Sequence, residues 1–248
     1  MNSDGRLSRS RLLLGDTVME RLANARVIVF GLGGVGSWAV EALARTGLRH
    51  LTIVDNDCVT ESNINRQMPA RIDTVGRLKV EVVKEHIALI NPEAEVTALA
   101  VPYTPETASD FHLEGYDYVI DAIDSLSNKV ALILHATSLR EVTLFSSMGA
   151  ARKLDPQKIR VAEFYDVEGC PLARAIRQRL KRMGVRPRRK FKCVYSPELI
   201  DNQGSESPDA VGGAWDAVKG GPNGSLLHIT GIFGFTLAGL VISDLSKR

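Results

Sequence analysis

Four glycines, Gly31, Gly33, Gly34 and Gly36, fall within six residues of the stretch RVIVFGLGGVGSWAVEALARTGLRHLTIVDND, which runs from Arg26 to Asp57. A short β-branched run, Val27 to Phe30, precedes them and reads as a strand buried on both faces. Ser37 to Thr46 carries helical periodicity, and Leu51 to Val54 makes a second buried strand that ends at Asp55. Strand, glycine turn, helix, strand and acid is the order that a nucleotide phosphate site needs. Gly31 permits the tight turn, Gly33 lets backbone approach a phosphate, and Gly36 lets the helix lie close to the strand. The free N–H groups at the helix start then face an anion. Asp55, about twenty residues on, is placed to accept hydrogen bonds from a ribose. The competing reading is a βαβ unit whose glycines serve only packing.

Further candidates follow the same logic. Ligands in open α/β sheets collect at the carboxyl ends of strands, and two such ends carry acids: Asp55 with Asp57, and Asp121 with Asp124 in the DAID tetrapeptide. Carboxylates beside a phosphate site suit Mg²⁺, which takes few protein oxygens plus phosphate and water. Asp124 also suits a helix N-cap. Asn63, Arg66 and Gln67 lie in the polar segment NINRQ, and Lys79 opens the next helix. Arg66 offers a planar fork for phosphate oxygens, and Lys79 a point charge. Hydride transfer needs no such clamp, whereas breaking a nucleotide triphosphate does, because charge develops on those oxygens. The set therefore favours ATP over NAD; a solvated loop and a surface lysine are the plainer alternative.

The elements that must position these residues alternate strand and helix to about residue 150. Helices are predicted over 79–90 and 127–140, and strands over 95–100, 118–121 and 142–145. An arm and a short helix are expected before the first strand. The fold class is α/β: a doubly wound, mainly parallel Rossmann-like sheet with helices on both faces and a partly antiparallel C-terminal extension. We read residues 1–248 as one domain, with an ATP-binding core over 1–150 and an extension over 151–248. In the extension, 158–164 reads as a strand, 171–183 as a basic helix and 203–224 as a Gly/Ser/Pro-rich loop. The run Ser225–Leu245 is nearly long enough to span a bilayer, but its polar residues and glycines favour a buried core helix or strand-turn-helix.

The 248 residues carry a formal charge of +2, unevenly spread. Between Pro171 and Lys192 there are ten Lys and Arg and no Asp or Glu, which leaves 21 basic against 29 acidic residues elsewhere, or −8. A basic segment on an acidic body points to a polyanion partner. Leu172, Ile176, Leu180 and Met183 form the apolar stripe of that helix, with Arg174, Arg177 and Lys181 on another face. Cys58, Cys170 and Cys193 are too scattered for a disulfide framework and form no CxxC pair, so no structural zinc is expected. Cys58 and Cys193 read as packing residues, although Cys193 also suits an acyl-accepting nucleophile. The chain shows no charged-then-apolar leader, and a cytoplasmic location is expected.

GLGGVGS, DND, NINRQ, Lys79 and DAID, in this order and spacing, resemble the ubiquitin-activating-enzyme-like (ThiF/MoeB/HesA) adenylating family from about Arg6 to Ala150. The resemblance implies ATP–Mg²⁺ binding and activation of a carboxylate. By position, Gly33 and Gly36 line the phosphates, with Gly31 and Gly34 in the same turn. Asp55 takes the ribose, with Asp57 beside it. Asn63, Arg66, Gln67 and Lys79 hold the phosphates, and Asp124 holds the magnesium, with Asp121 adjoining. Arg9, in LSRSRLLLG, matches an arginine that in relatives reaches the partner subunit's nucleotide, which implies a homodimer. Family members also imply sulfur-transfer protein partners.

RVAEFYDVEGCPLARAIRQRLKRMGV followed by FKCVYSPE resembles the branch that cyclises N6-threonylcarbamoyladenosine beside the anticodon of tRNA. One departure is Cys170, where relatives carry Asp. The implied function is ATP-dependent dehydration of that nucleoside in tRNA. The alternatives are an adenylating enzyme for a ubiquitin-like sulfur-carrier protein and a nucleotide-sensing module without turnover.

Overall fold

A computed structural model of the chain describes residues 5–204 and 223–248. The predicted 203–224 loop therefore lies, but for two residues at each end, outside the described residues. A 3-10 turn at Gly5–Leu7 leads into α1 (Ser8–Asn24), longer than the short helix expected and broken at Gly15 by a non-helical φ of 75°. There follow β1 (Arg26–Phe30), α2 (Gly36–Thr46), β2 (His50–Val54), α3 (Lys79–Ile90), β3 (Glu95–Leu99), β4 (Tyr118–Asp121), α4 (Leu126–Ser138), β5 (Thr143–Ser147), β6 (Arg160–Glu163), α5 (Pro171–Met183), β7 (Lys192–Tyr195) and α6 (Leu227–Lys247).

The seven strands among the described residues join one sheet in the order β3-β2-β1-β4-β5-β7-β6. Every pair is parallel except β6 with β7, so the extension continues the sheet and turns it antiparallel at that edge. Chain order reverses between β1 and β4, which opens a crevice at their carboxyl ends.

Strand alternation sends Val27, Val29, Ile53, Tyr118 and Ile120 to one face, under α2, α3, α6 and the inner turns of α1. Ile28, Phe30, Val119 and Cys193 go to the other, under α4, α5 and a Tyr103–Leu113 turn. The two apolar clusters enclose the sheet in three layers.

α6 is the core helix that the sequence favoured. It is long and apolar enough to cross a membrane, yet Ile229, Phe233, Leu237 and Val241 are buried in the first cluster. A Cβ on Gly234 would meet the Val35 carbonyl at 2.4 Å, so only glycine lets α6 cross the start of α2 so closely. Asp244 accepts a 2.7 Å hydrogen bond from the Tyr118 hydroxyl and ties the far end of α6 to the sheet.

Candidate active site

The glycine turn lies at the carboxyl end of β1, against the β4–α4 loop. Gly31 has φ of 89°, and a Cβ there would meet the Ala122 carbonyl oxygen at 2.6 Å. A Cβ on Gly36 would stand 1.8 Å from the Gly31 carbonyl oxygen. Both are glycine for the fold's sake, as the sequence argument expected. Gly34 faces α6, where a Cβ would press on Thr230 at 3.2 Å, so packing also accounts for its lack of a side chain. Gly33 differs. The nearest protein atom to a Cβ there is Gln67 Nε2 at 3.9 Å. Among the described residues nothing fills that space, and no acceptor takes the N–H groups of Gly33, Gly34 and Val35. They point ahead of α2 like the unsatisfied donors of any helix start.

Opposite Gly33 stands the NINRQ segment. Gln67 is buried, and its Oε1 has no hydrogen-bond partner among the described residues. Buried polar atoms are nearly always paired, so an orphan acceptor beside an empty glycine fits a bound ligand with donors of its own. Asn63 is buried and accepts from the Thr60 N–H at 3.3 Å. Arg66 Nη1 donates to the Ser62 carbonyl and to Asn65 Oδ1, both at 2.9 Å, and burial lowers its pKa. Two residues that sequence reasoning missed fix this segment to the glycine turn. Ser37 Oγ donates to the Gly33 carbonyl at 2.7 Å and accepts from the Met68 N–H, while Trp38 Nε1 donates to the Arg66 carbonyl at 2.9 Å. The signal available was their place in the first turn of a helix that follows a glycine turn.

Asp55 accepts from the Leu32 N–H at 2.6 Å and the Asp57 N–H at 2.8 Å. Burial nonetheless holds its carboxyl above the ordinary value, against the nearby Lys79 ammonium and those donors. Lys79 is buried, with Nζ 2.8 Å from Asp57 and 3.9 Å from Asp55. Asp55, Asp57 and Lys79 thus meet, with the ammonium between a buried carboxylate and an exposed one.

The DAID residues divide. Asp124 is exposed in the loop that Ala122 presses against Gly31, and the N-cap of α4 is Ser125, not Asp124. Asp121 is not a cleft residue. Alternation turns its side chain to the α4 face, where it is 0% exposed. Lys129, also 0% exposed, is paired with it at 2.9 Å. Asp121 also accepts from Ser146 Oγ at 2.7 Å and the Ile123 N–H at 3.1 Å, while Lys129 Nζ donates to the Ile123 carbonyl at 3.0 Å. The pair grips both backbone groups of Ile123 and so fixes the loop that carries Asp124. Lys129 was missed; a lysine opening the apolar run KVALIL was the available signal. Among the described residues, no three His, Cys, Asp or Glu side chains gather as a metal cage, so magnesium here fits only as a phosphate-bound ion with one or two carboxylates.

Other predicted residues lie elsewhere. Arg9 is exposed on the outer half of α1. Cys193 is fully buried on the α4 face of the sheet, and burial pushes its thiol well up, the setting of a packing cysteine. Cys58, expected to pack, is exposed. On α5, Leu172, Ile176 and Leu180 are buried, but Met183 is 50% exposed, because Gly184 ends the helix and the chain turns away. Two of the ten cations serve the fold. Arg177 donates to the Phe164 carbonyl at 3.1 Å, and Arg189 donates to the Arg140 carbonyl at 2.8 Å and to that of Val142.

The geometry is thus open space at Gly33 beside helix N–H donors, with Gln67 and Arg66 opposite and an exposed carboxylate on the neighbouring loop. The ThiF family matches residues 7–184. The chain is 38% identical over 242 residues to the tRNA threonylcarbamoyladenosine dehydratase of Bacillus subtilis (strain 168), covering 97% of this chain and 94% of that one. It is 39% identical over 236 residues to the Escherichia coli (strain K12) protein of the same name, covering 90% and 87%. The crystal structure of the E. coli dehydratase TcdA in complex with ATP superposes with a TM-score of 0.84 at 36% identity, over 97% of this chain and 93% of that chain. The chain belongs to the ThiF family.

Proposed function

We propose that this protein is an ATP-dependent tRNA dehydratase that cyclises N6-threonylcarbamoyladenosine by activating its threonine carboxylate. The observation that carries the reading is similarity to dehydratases that runs the length of the chain, through the basic helix and α6 as well as the nucleotide turn. ATP lies over Gly33, with its phosphates at the N–H groups of Gly33 to Val35 and at Asn63, Arg66, Gln67 and Lys79. Asp55 accepts from the ribose. Asp124 is the residue that would hold Mg²⁺, and the ion would supply charge neutralisation at the phosphate oxygens. Lys79 and Arg66 move from their present partners to those oxygens as charge develops there. A carboxylate oxygen of the threonyl group attacks a phosphorus of ATP and displaces ADP, giving an acyl phosphate, or pyrophosphate, giving an adenylate. A carbamoyl nitrogen or oxygen then attacks the acyl carbon and expels the phosphorylated oxygen. The RNA has lost one water.

The working unit in this reading is a cytoplasmic homodimer. The outer half of α1 exposes Leu12 and Leu13, 88% and 84%, beside Arg9. Two large exposed leucines on an arm that its own body does not cover suit a second copy, which would bring Arg9 to the partner's nucleotide. Mixing Arg9→Ala with Asp124→Ala protein should then restore some activity, and a monomer by light scattering at working concentration defeats this part.

The main test incubates protein, ATP, Mg²⁺ and tRNA carrying the modified nucleoside, digests the RNA and looks for a nucleoside lighter by one water. ATP turnover without that product, but with adenylation of a ubiquitin-like sulfur carrier, would replace the reading with the sulfur-transfer one.

A further inference from the structure

The basic segment runs away from the nucleotide turn. Cys170, just before α5, lies against Gly149, two residues past the end of β5, and Gly169 packs on Pro197, two residues past the end of β7. Both are carboxyl ends of parallel strands, the edge that also holds the glycine turn. α5 then packs back along α4. Arg189 donates to carbonyls at the last turn of α4 and the entry to β5, which is the opposite edge of the sheet. Thirteen helical residues separate the two ends, about 20 Å at ~1.5 Å per residue. Arg174, Arg179 and Arg182 on the helix, and Arg186, Arg188 and Lys190 beyond it, are all exposed.

We infer that this track has a polarity. Its near end, at Arg174, flanks the loop nucleotides that enter the active site, and Arg186, Arg188 and Lys190 at the far end bind backbone phosphates of the duplex stem beneath that loop. The inference rests on the proposed tRNA reading and adds which part of the RNA each end of the track holds. About 20 Å is on the order of six base pairs at the ~3.4 Å rise of a B-form strand, and somewhat more in a shorter-pitched RNA duplex. Duplex RNA is held by its shape and phosphates rather than by its sequence, which suits a row of exposed cations without acids among them. Arg189, the one member of the distal run anchored to the body, fixes the segment in place rather than contacting RNA.

The test uses the triple variant Arg186→Ala, Arg188→Ala, Lys190→Ala and three RNAs bearing the modified nucleoside: intact tRNA, a hairpin with the full anticodon stem, and the same loop on a stem cut to two base pairs. On intact tRNA and the full hairpin, the variant should bind roughly tenfold or more weakly, with a log–log salt slope flatter by about 2–3 for three lost phosphate contacts. On the shortened stem it should match the wild-type protein. ATP affinity should stay unchanged. Equal loss on both hairpins would mean that the far end contacts the loop, and no loss on any RNA would mean that it contacts none; either result overturns the polarity. If the wild-type protein made no dehydrated nucleoside from intact tRNA, the dehydratase reading would fall first and this docking with it.

Discussion

Lys129→Met leaves the Asp121 carboxylate fully buried with no cation beside it. Methionine keeps most of the stem volume, so the cavity term is small and the change is electrostatic. Removing one partner of a buried pair costs about 3–5 kcal/mol, against a total stability on the order of 5–15 kcal/mol. For a chain of this size that lowers Tm by roughly 6–20 °C. Asp121→Asn added to Lys129→Met removes the stranded charge and should recover most of the loss, because a buried pair replaced as a unit is close to neutral. The double variant still lacks the Nζ that holds the Ile123 carbonyl. It should therefore fold near wild-type stability yet need more Mg²⁺–ATP for half-maximal turnover, since the loop bearing Asp124 is released. Urea unfolding and magnesium titration read the two effects separately. A single variant within about 1 kcal/mol of wild type, or a double variant no more stable than the single, would refute the reasoning.

Gly33→Ala should leave Tm unchanged, because the new methyl meets nothing closer than Gln67 at 3.9 Å, and should weaken ATP binding measured by calorimetry; Gly36→Ala, by contrast, should fail to fold. Asp124→Asn should abolish turnover and leave urea unfolding as it was; turnover that persists at saturating Mg²⁺ removes it from the site. Glu198 accepts from the Leu154 and Asp155 N–H groups and pairs with Lys158, which lowers its pKa from 4.5 to about 2. A depressed carboxyl stabilises the fold above its unfolded pKa, and that contribution drains away as pH falls from 4.5 towards 2. Glu198→Gln should flatten Tm against pH in that window; an unaltered slope would show that the contribution lies elsewhere. Burial raises the Asp55 carboxyl, so ATP affinity should begin to fall, as pH is lowered, earlier than an ordinary carboxylate allows, and Asp55→Asn should remove that limb from a binding titration.

Strands, helices and the fold class were legible because they are written locally, in periods of two and of three to four residues. α5 starts and stops where its proline and glycine say. What the sequence could not carry was direction. Asp121 and Asp124 are three residues apart at one strand end, and nothing local tells which faces the cleft. That depends on which sheet face α4 covers, and so on pairing with β1 and β5. Lys129 opens an apolar run with no acid in it, so its partner could be found only across the sheet. Arg189 reads as one more cation in RPRRK because the carbonyls that hold it lie about fifty residues upstream. The four glycines make the same point in the other direction. Spacing alone gives Gly31, Gly33 and Gly36 separate roles, and the neighbours of each are visible only in the fold, which itself demands Gly31 and Gly36 and presses α6 on Gly34. Of the four, only Gly33 leaves volume that the described residues do not use, with Gln67 Nε2 its nearest neighbour at 3.9 Å. A residue whose smallness serves no neighbour in its own chain is the place to expect a molecule from outside it, and the helix N–H groups beside it decide that the molecule is an anion.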